Sequence, residues 1–175
     1  MTQLFMTHPG PLVSPVPDLP AGFELRPATV DDAAALNVVL EEAFEEPWGI
    51  DRTLSVLLAA PDVVRTWVIT TSDGRLVATA SERLLPEEYP GAGYVHYVGA
   101  LASISGKRFG QIVTQRCLRG FVERGLAKAV LKTDDFRLPA VRTYLRIGFV
   151  PEYRADEERS AWSGVFKTIE AGPRR

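Results

Sequence analysis

The sequence predicts a single α/β domain built on a mixed sheet, and three observations predict it. Residues 93–133 run strand, helix, strand, an order that needs a right-handed crossover and leaves two strands locally parallel. Residues 67–81 read as an antiparallel hairpin turning at Asp73 and Gly74. Helical stripes alternate with these strands, without an internal repeat or a second core. A chain of 175 residues, 46% hydrophobic and 24% charged, is of a size and composition for one such domain.

The elements follow in order. Residues 1–21 carry Pro9, Pro11, Pro15, Pro17 and Pro20, a density that denies the backbone donors, and they read as an extended arm. The folded domain, 22–169, opens near Phe23 with a short strand. Thr29 is the N-cap of a first helix, with Asp31 and Asp32 in its first turn and Leu36, Val39, Leu40 and Ala43 as its apolar stripe. Pro47 and Gly49 break it, and Leu54, Leu57 and Leu58 mark a second, short helix that ends near Pro61.

After the hairpin, Gly93–Ala100 is the fourth strand, with so little polar face that both of its sides should be covered. Val113, Cys117, Gly120 and Phe121 form the stripe of the next helix, which Gly125 closes. Ala127–Thr133 is the parallel strand. Pro139 opens a fourth helix, Gly148 stops it, and Phe149 begins another strand. Trp162–Ile169 reads as a final strand and 170–175 as a polar tail. The count is six to seven strands and four helices.

Net charge is −2 and the pI about 5.8, so no global positive field calls for nucleic acid or an anionic membrane. No apolar run approaches the roughly 18 residues of a membrane span, and no secretory leader is evident, so a cytoplasmic location is expected. Cys117 is the one cysteine, and His8 and His96 are the two histidines, a set that excludes an intrachain disulfide and an all-cysteine metal site and argues against zinc chemistry.

Two motifs carry the chemistry. Gly106 and Gly110 bracket Lys107 and Arg108 at the start of a helix after a buried strand, an arrangement suited to cradling phosphate on backbone N–H groups. Further on, PAVRTYLRIGF sets Ala140 four residues before Tyr144, followed by Gly148 and Phe149.

Together, in this element order, the two motifs resemble those of the GNAT superfamily of acyl-CoA-dependent N-acetyltransferases, over about residues 22–169. Ser105 stands where the family prefers Gln or Arg, Arg108 where it has a glycine, and Arg137 where Asn is common.

The resemblance implies a fold with splayed fourth and fifth strands, acetyl-CoA as co-substrate and no metal. It implies that the backbone from Ser105 through Gly106, Lys107, Arg108, Phe109 and Gly110 to Gln111 holds the pyrophosphate. The Lys107 and Arg108 cations could add charge-assisted contacts. Val98, Gly99 and Ala100 would border the pantetheine arm, with Arg137 nearby. A backbone N–H near Ala100 or Leu101 would serve the oxyanion, and Tyr144 would protonate the departing sulfur.

Other residues leave alternatives open. His96 shares strand parity with Tyr94 and Val98, and reads either as the base for the attacking amine or as a hydrogen-bonded structural residue. Glu41, Glu42, Glu45 and Glu46 near Trp48, and Glu87 and Glu88 beside Tyr89, read as attractors of a cationic amine or as solvated surface. Cys117 lies on a buried stripe and reads as core rather than nucleophile. The implied partner is a small-molecule or peptide amine. A homodimer stays open, and so does a degenerate domain that only binds acyl-CoA, or nothing.

Overall fold

In the computed structural model, which describes residues 2–10 and 15–171, the strand at the centre of the expected crossover is the fifth in the chain rather than the fourth. Seven strands form one mixed sheet: β1 (Gln3–His8), β2 (Phe23–Pro27), β3 (Val63–Thr71), β4 (Leu76–Arg83), β5 (Ala92–Ala100), β6 (Lys128–Asp134) and β7 (Val150–Glu152). Their spatial order is β2-β3-β4-β5-β6-β1-β7. Five α-helices join them: α1 (Ala33–Phe44), α2 (Ile50–Thr53), α3 (Phe109–Glu123), α4 (Leu138–Arg146) and α5 (Asp156–Glu170).

Two expectations are corrected. Gln3–His8 is not part of an arm: it pairs antiparallel with β6 on one side and β7 on the other, and buries Leu4, Phe5 and Met6. Pro9, Pro11, Pro15, Pro17 and Pro20 all follow His8, so their density describes the connection after the strand and not the strand itself. Over that connection Val16 and Leu19 pack on the core and the Pro15 carbonyl accepts from Gln115 Nε2 (3.2 Å). Nor is Trp162–Ile169 a strand. Trp162, Val165, Phe166 and Ile169 lie at i, i+3, i+4 and i+7, and pack on the core from α5, whose first turn carries Asp156, Glu157 and Glu158.

β5 and β6 pair in parallel, as the crossover requires, but only from Ala92–Val95 against Lys128–Leu131. Beyond that both strands continue, unpaired with each other, and a gap opens between them. α3 lies on one face of β4 and β5, and two glycines let it come close. A β-carbon on Gly93 of β5 would run into the Phe121 ring, and one on Gly120 of α3 into the Glu82 carboxylate. α1 covers the other face, where a β-carbon on Gly99 would stand 3.0 Å from that of Ala43.

His8 locks β1 to the turn after α4. Its Nε2 lies 3.1 Å from the Ile147 carbonyl and its Nδ1 accepts from Gly10 N–H (3.2 Å), which selects the neutral ring protonated at Nε2. Burial lowers its pKa, against the hydrogen bond to Ile147. Gly148 needs to be glycine twice over: its φ is +100°, and a β-carbon would lie 2.7 Å from His8 Nε2. Cys117 is buried in the core, where desolvation raises its thiol well above the usual range.

Candidate active site

The gap between β5 and β6 is shaped by a bulge. His96 pairs with Ser81 and Gly99 with Thr79, so Tyr97 and Val98 together oppose Ala80. Tyr97 takes φ +45°, a left-handed conformation that costs a non-glycine residue of order 1–3 kcal/mol. The bulge shifts parity. Tyr97 joins His96 on the α1 face (ring centroids 3.9 Å apart), whereas Val98 turns toward Gly110 on the α3 side. His96 therefore shares its face with Tyr94 (5.3 Å), as expected, but not with Val98.

Two cavities meet in this gap. One, of about 330 Å³, is lined by Val98, Gly99, Ala100, Ser105, Arg108, Phe109 and Gly110 together with Arg137, Ala140 and Tyr144. The other, of about 190 Å³, is lined by Phe44, Tyr94, His96, Tyr97 and Val98, by Lys132, Thr133 and Asp134, and again by Arg137, Ala140 and Tyr144. Val98, Arg137, Ala140 and Tyr144 border both. Of the expected site residues, Leu101, Gly106, Lys107 and Gln111 line neither.

The turn before α3 keeps the form the glycines suggest. Gly106 has φ +85°, and Arg108, the helix N-cap, has φ +60°. Arg108 thus adopts the left-handed geometry in which glycine is at ease, rather than an ordinary negative φ. Ser105 N–H donates to Ala102 O (3.0 Å) and Lys107 N–H to Ile104 O (3.3 Å), so these two are already used. Ile112 N–H is the first in α3 to bond back, to Arg108 O. The N–H groups of Phe109, Gly110 and Gln111 belong to the unsatisfied first turn of the helix, where its dipole is positive.

Leu101 N–H also has a partner, Val77 O (3.0 Å). By the alternation of an antiparallel ladder, that bond turns the backbone groups of Ala100 away from β4 and toward the gap. Ala100, and not Leu101, keeps a donor for a ligand there. Glu42 Oε1 accepts from Ala102 N–H (2.7 Å) and ties α1 to the loop above the gap.

Arg137 spans the opening. Its Nε–H donates to Asp134 Oδ2 (3.1 Å), its Nη1 to Ala43 O (3.0 Å), and its guanidinium lies 4.5 Å from the Phe44 ring centroid. Tyr144 is buried; desolvation pushes its phenol well above the usual range, and the positive Arg137 pulls it back in part. His96 is held down at about 3 by burial first and by the positive Arg83 second, so at neutral pH its ring is uncharged.

Several members of the acidic clusters are engaged locally. Glu41 accepts from Trp48 N–H (3.1 Å), Glu46 pairs with Arg52 (2.9 Å), and Glu88 takes Tyr89 OH and Lys132 Nζ. Sequence reasoning missed Phe44, Tyr97, Lys132 and Asp134 as lining residues. The aromatic residues on the strand were a visible signal, but their direction depends on the bulge.

Among the described residues, no helix is long and apolar enough to cross a membrane, and no group of three or more His, Cys, Asp or Glu side chains could hold a metal ion.

The fold is similar to that of a GCN5-related N-acetyltransferase from Sphaerobacter thermophilus, with TM-score 0.69 and 23% identity over 86% of this chain and 48% of that one. It is also similar to a GCN5-related N-acetyltransferase from Kribbella flavida, with TM-score 0.58 and 26% identity over 85% and 53%. In sequence it is 30% identical over 84 residues to mycothiol acetyltransferase of Nocardia farcinica, covering 48% of this chain and 28% of that protein. The chain therefore spans about half the length of these two structures and less than a third of that enzyme. The model of the acetyltransferase (GNAT) family matches residues 33–149, from the first turn of α1 to the edge of β7. The chain belongs to the acetyltransferase (GNAT) family.

Proposed function

We propose that the protein transfers an acetyl or other short acyl group from acyl-CoA to a primary amine by direct attack, with both substrates bound together. One observation supports this above the rest: two cavities, one bordered by the α3 turn and one by aromatic rings, share Val98, Arg137, Ala140 and Tyr144. Such a junction lets two substrates meet without a covalent enzyme intermediate, and Cys117 is sealed in the core.

The residues fit a CoA-type co-substrate. Phe109, Gly110 and Gln111 N–H groups at the start of a fifteen-residue helix suit a pyrophosphate, and Arg108, a cationic residue, borders the cavity beside them. The co-substrate supplies an activated thioester. The Ala100 N–H faces the gap, where negative charge would develop on the carbonyl oxygen. Tyr144 keeps its proton at neutral pH and is the acid for the departing sulfur, while the Arg137 guanidinium favours negative charge at the junction.

Acetyl-CoA should raise the melting temperature in a concentration-dependent way, and free thiol should then appear with a reactive amine. Tyr144→Phe is expected to lower kcat by about a hundredfold or more while acetyl-CoA affinity changes little. An unchanged kcat overturns the acid role, and no melting shift at saturation overturns transfer and binding alike. A second reading, a module that binds acyl-CoA without turnover, is favoured by the weak basicity of His96. A melting shift with no thiol release from any amine supports it.

A further inference from the structure

The smaller cavity has a chemical character of its own. Phe44, Tyr94, His96 and Tyr97 are half-buried and line it, and each is braced by another ring. Tyr97 meets Phe44 and Trp48 edge-on (5.5 and 4.7 Å, both at 88°), His96 lies against Tyr97 and Tyr94, and Tyr94 stacks on buried Tyr89 (5.7 Å). Tyr97 reaches this wall only through its left-handed backbone; without the bulge its ring would face α3. Strain held at one residue to aim one side chain into a cavity points to use of that side chain.

The charges there are already matched. Asp134 is paired with Arg137 (3.1 Å) and Lys132 with Glu88 (3.7 Å), so among the described residues that line the cavity no carboxylate is spare for a second ammonium group. The space suits one ring: a cavity of about 150 Å³ admits a benzene ring, and this one, open at its mouth and bordered also by Gln3 and Thr133, measures about 190 Å³.

We infer that the acceptor is a monoamine carrying a single aromatic ring on a short linker, the ring lying among Phe44, Tyr94 and Tyr97 and the amine reaching the junction at Val98 and Tyr144. This rests on the acyl-transfer reading of the same site and adds the substrate class to it. Ring-on-ring packing predicts a preference of about three- to tenfold over an alkyl amine of equal length.

The test has two readouts on the full chain. Thiol release from acetyl-CoA compares kcat/KM for 2-phenylethylamine and n-hexylamine, and calorimetry compares their Kd on the CoA-saturated protein. The expected result is a preference for the aromatic amine in both, reduced toward unity in Tyr97→Leu and, as a second variant less coupled to the strained backbone, in Phe44→Leu. Equal Kd and equal kcat/KM for the two amines overturn the inference while leaving acyl transfer intact. An aromatic preference in Kd with no thiol release overturns acyl transfer and leaves the aromatic site standing. Failure of both amines to bind overturns the inference outright.

Discussion

Arg108 shows how one side chain can satisfy a turn whose backbone favours another. Its φ of +60° is the geometry glycine adopts freely, so the arginine carries strain of about 1–2 kcal/mol, while it borders the larger cavity. Two substitutions separate the contributions. Arg108→Gly relieves the strain and should leave the protein about 0.5 to 1 kcal/mol more stable than Arg108→Ala, which keeps a β-carbon. Both should weaken acetyl-CoA binding, about threefold to tenfold, by losing the guanidinium. Urea unfolding and calorimetry read the two effects; an alanine variant as stable as the glycine one overturns the strain argument. The turns were legible residue by residue, because Gly106 and Gly148 answer local demands for positive φ at helix boundaries, whereas Ala140 and Tyr144 gain a meaning only through the resemblance of their motif to the family's. The direction of Tyr97 was not legible, because it depends on which β4 residue lies opposite.

At the scale of the element, the two misread segments fail for different reasons. α5 was decipherable: Trp162, Val165, Phe166 and Ile169 keep a helical period, but their bulky and β-branched character resembles a strand. β1 was not, since six residues far from β6 in sequence say nothing of where they pair, and their place between β6 and β7 is set by the whole sheet. Its removal is correspondingly severe. Leu4, Phe5 and Met6 are almost wholly buried; at about 1.5–3 kcal/mol each their loss rivals the marginal stability of a domain. Deleting residues 2–10 should abolish the cooperative thermal transition, and a retained one would mean that the strand is dispensable. His8 gives the same strand a pH dependence. Its folded pKa is depressed, so below about 6.5 the unfolded chain binds the proton more readily and stability falls as pH falls; above that the contribution is complete. His8→Gln, which keeps a donor for Ile147 but cannot titrate, should make that part of the stability profile measured by urea unfolding less steep, the remaining slope coming from His96, which burial also holds down.

For the whole molecule, the proposed transfer requires a destination for the proton of the attacking amine. A net charge of −2 favours the approach of an ammonium ion, yet the cavity facing the junction has its one lining carboxylate, Asp134, paired with Arg137 and aromatic rings along its wall. Desolvation and the nearby Arg137 guanidinium both disfavour a charged amine there. His96, held at about 3, is too weak a base to take the proton at neutral pH. The amine should therefore enter already neutral, having lost its proton to water. From this, kcat/KM should rise about tenfold per pH unit from pH 6 upward and level off only at the acceptor's own pKa. Two primary amines of different pKa should show plateaus displaced by that difference, and His96→Gln should leave both profiles in place. A plateau fixed near pH 6.5 for both amines, lost in His96→Gln, would instead make His96 the base and overturn the argument from desolvation.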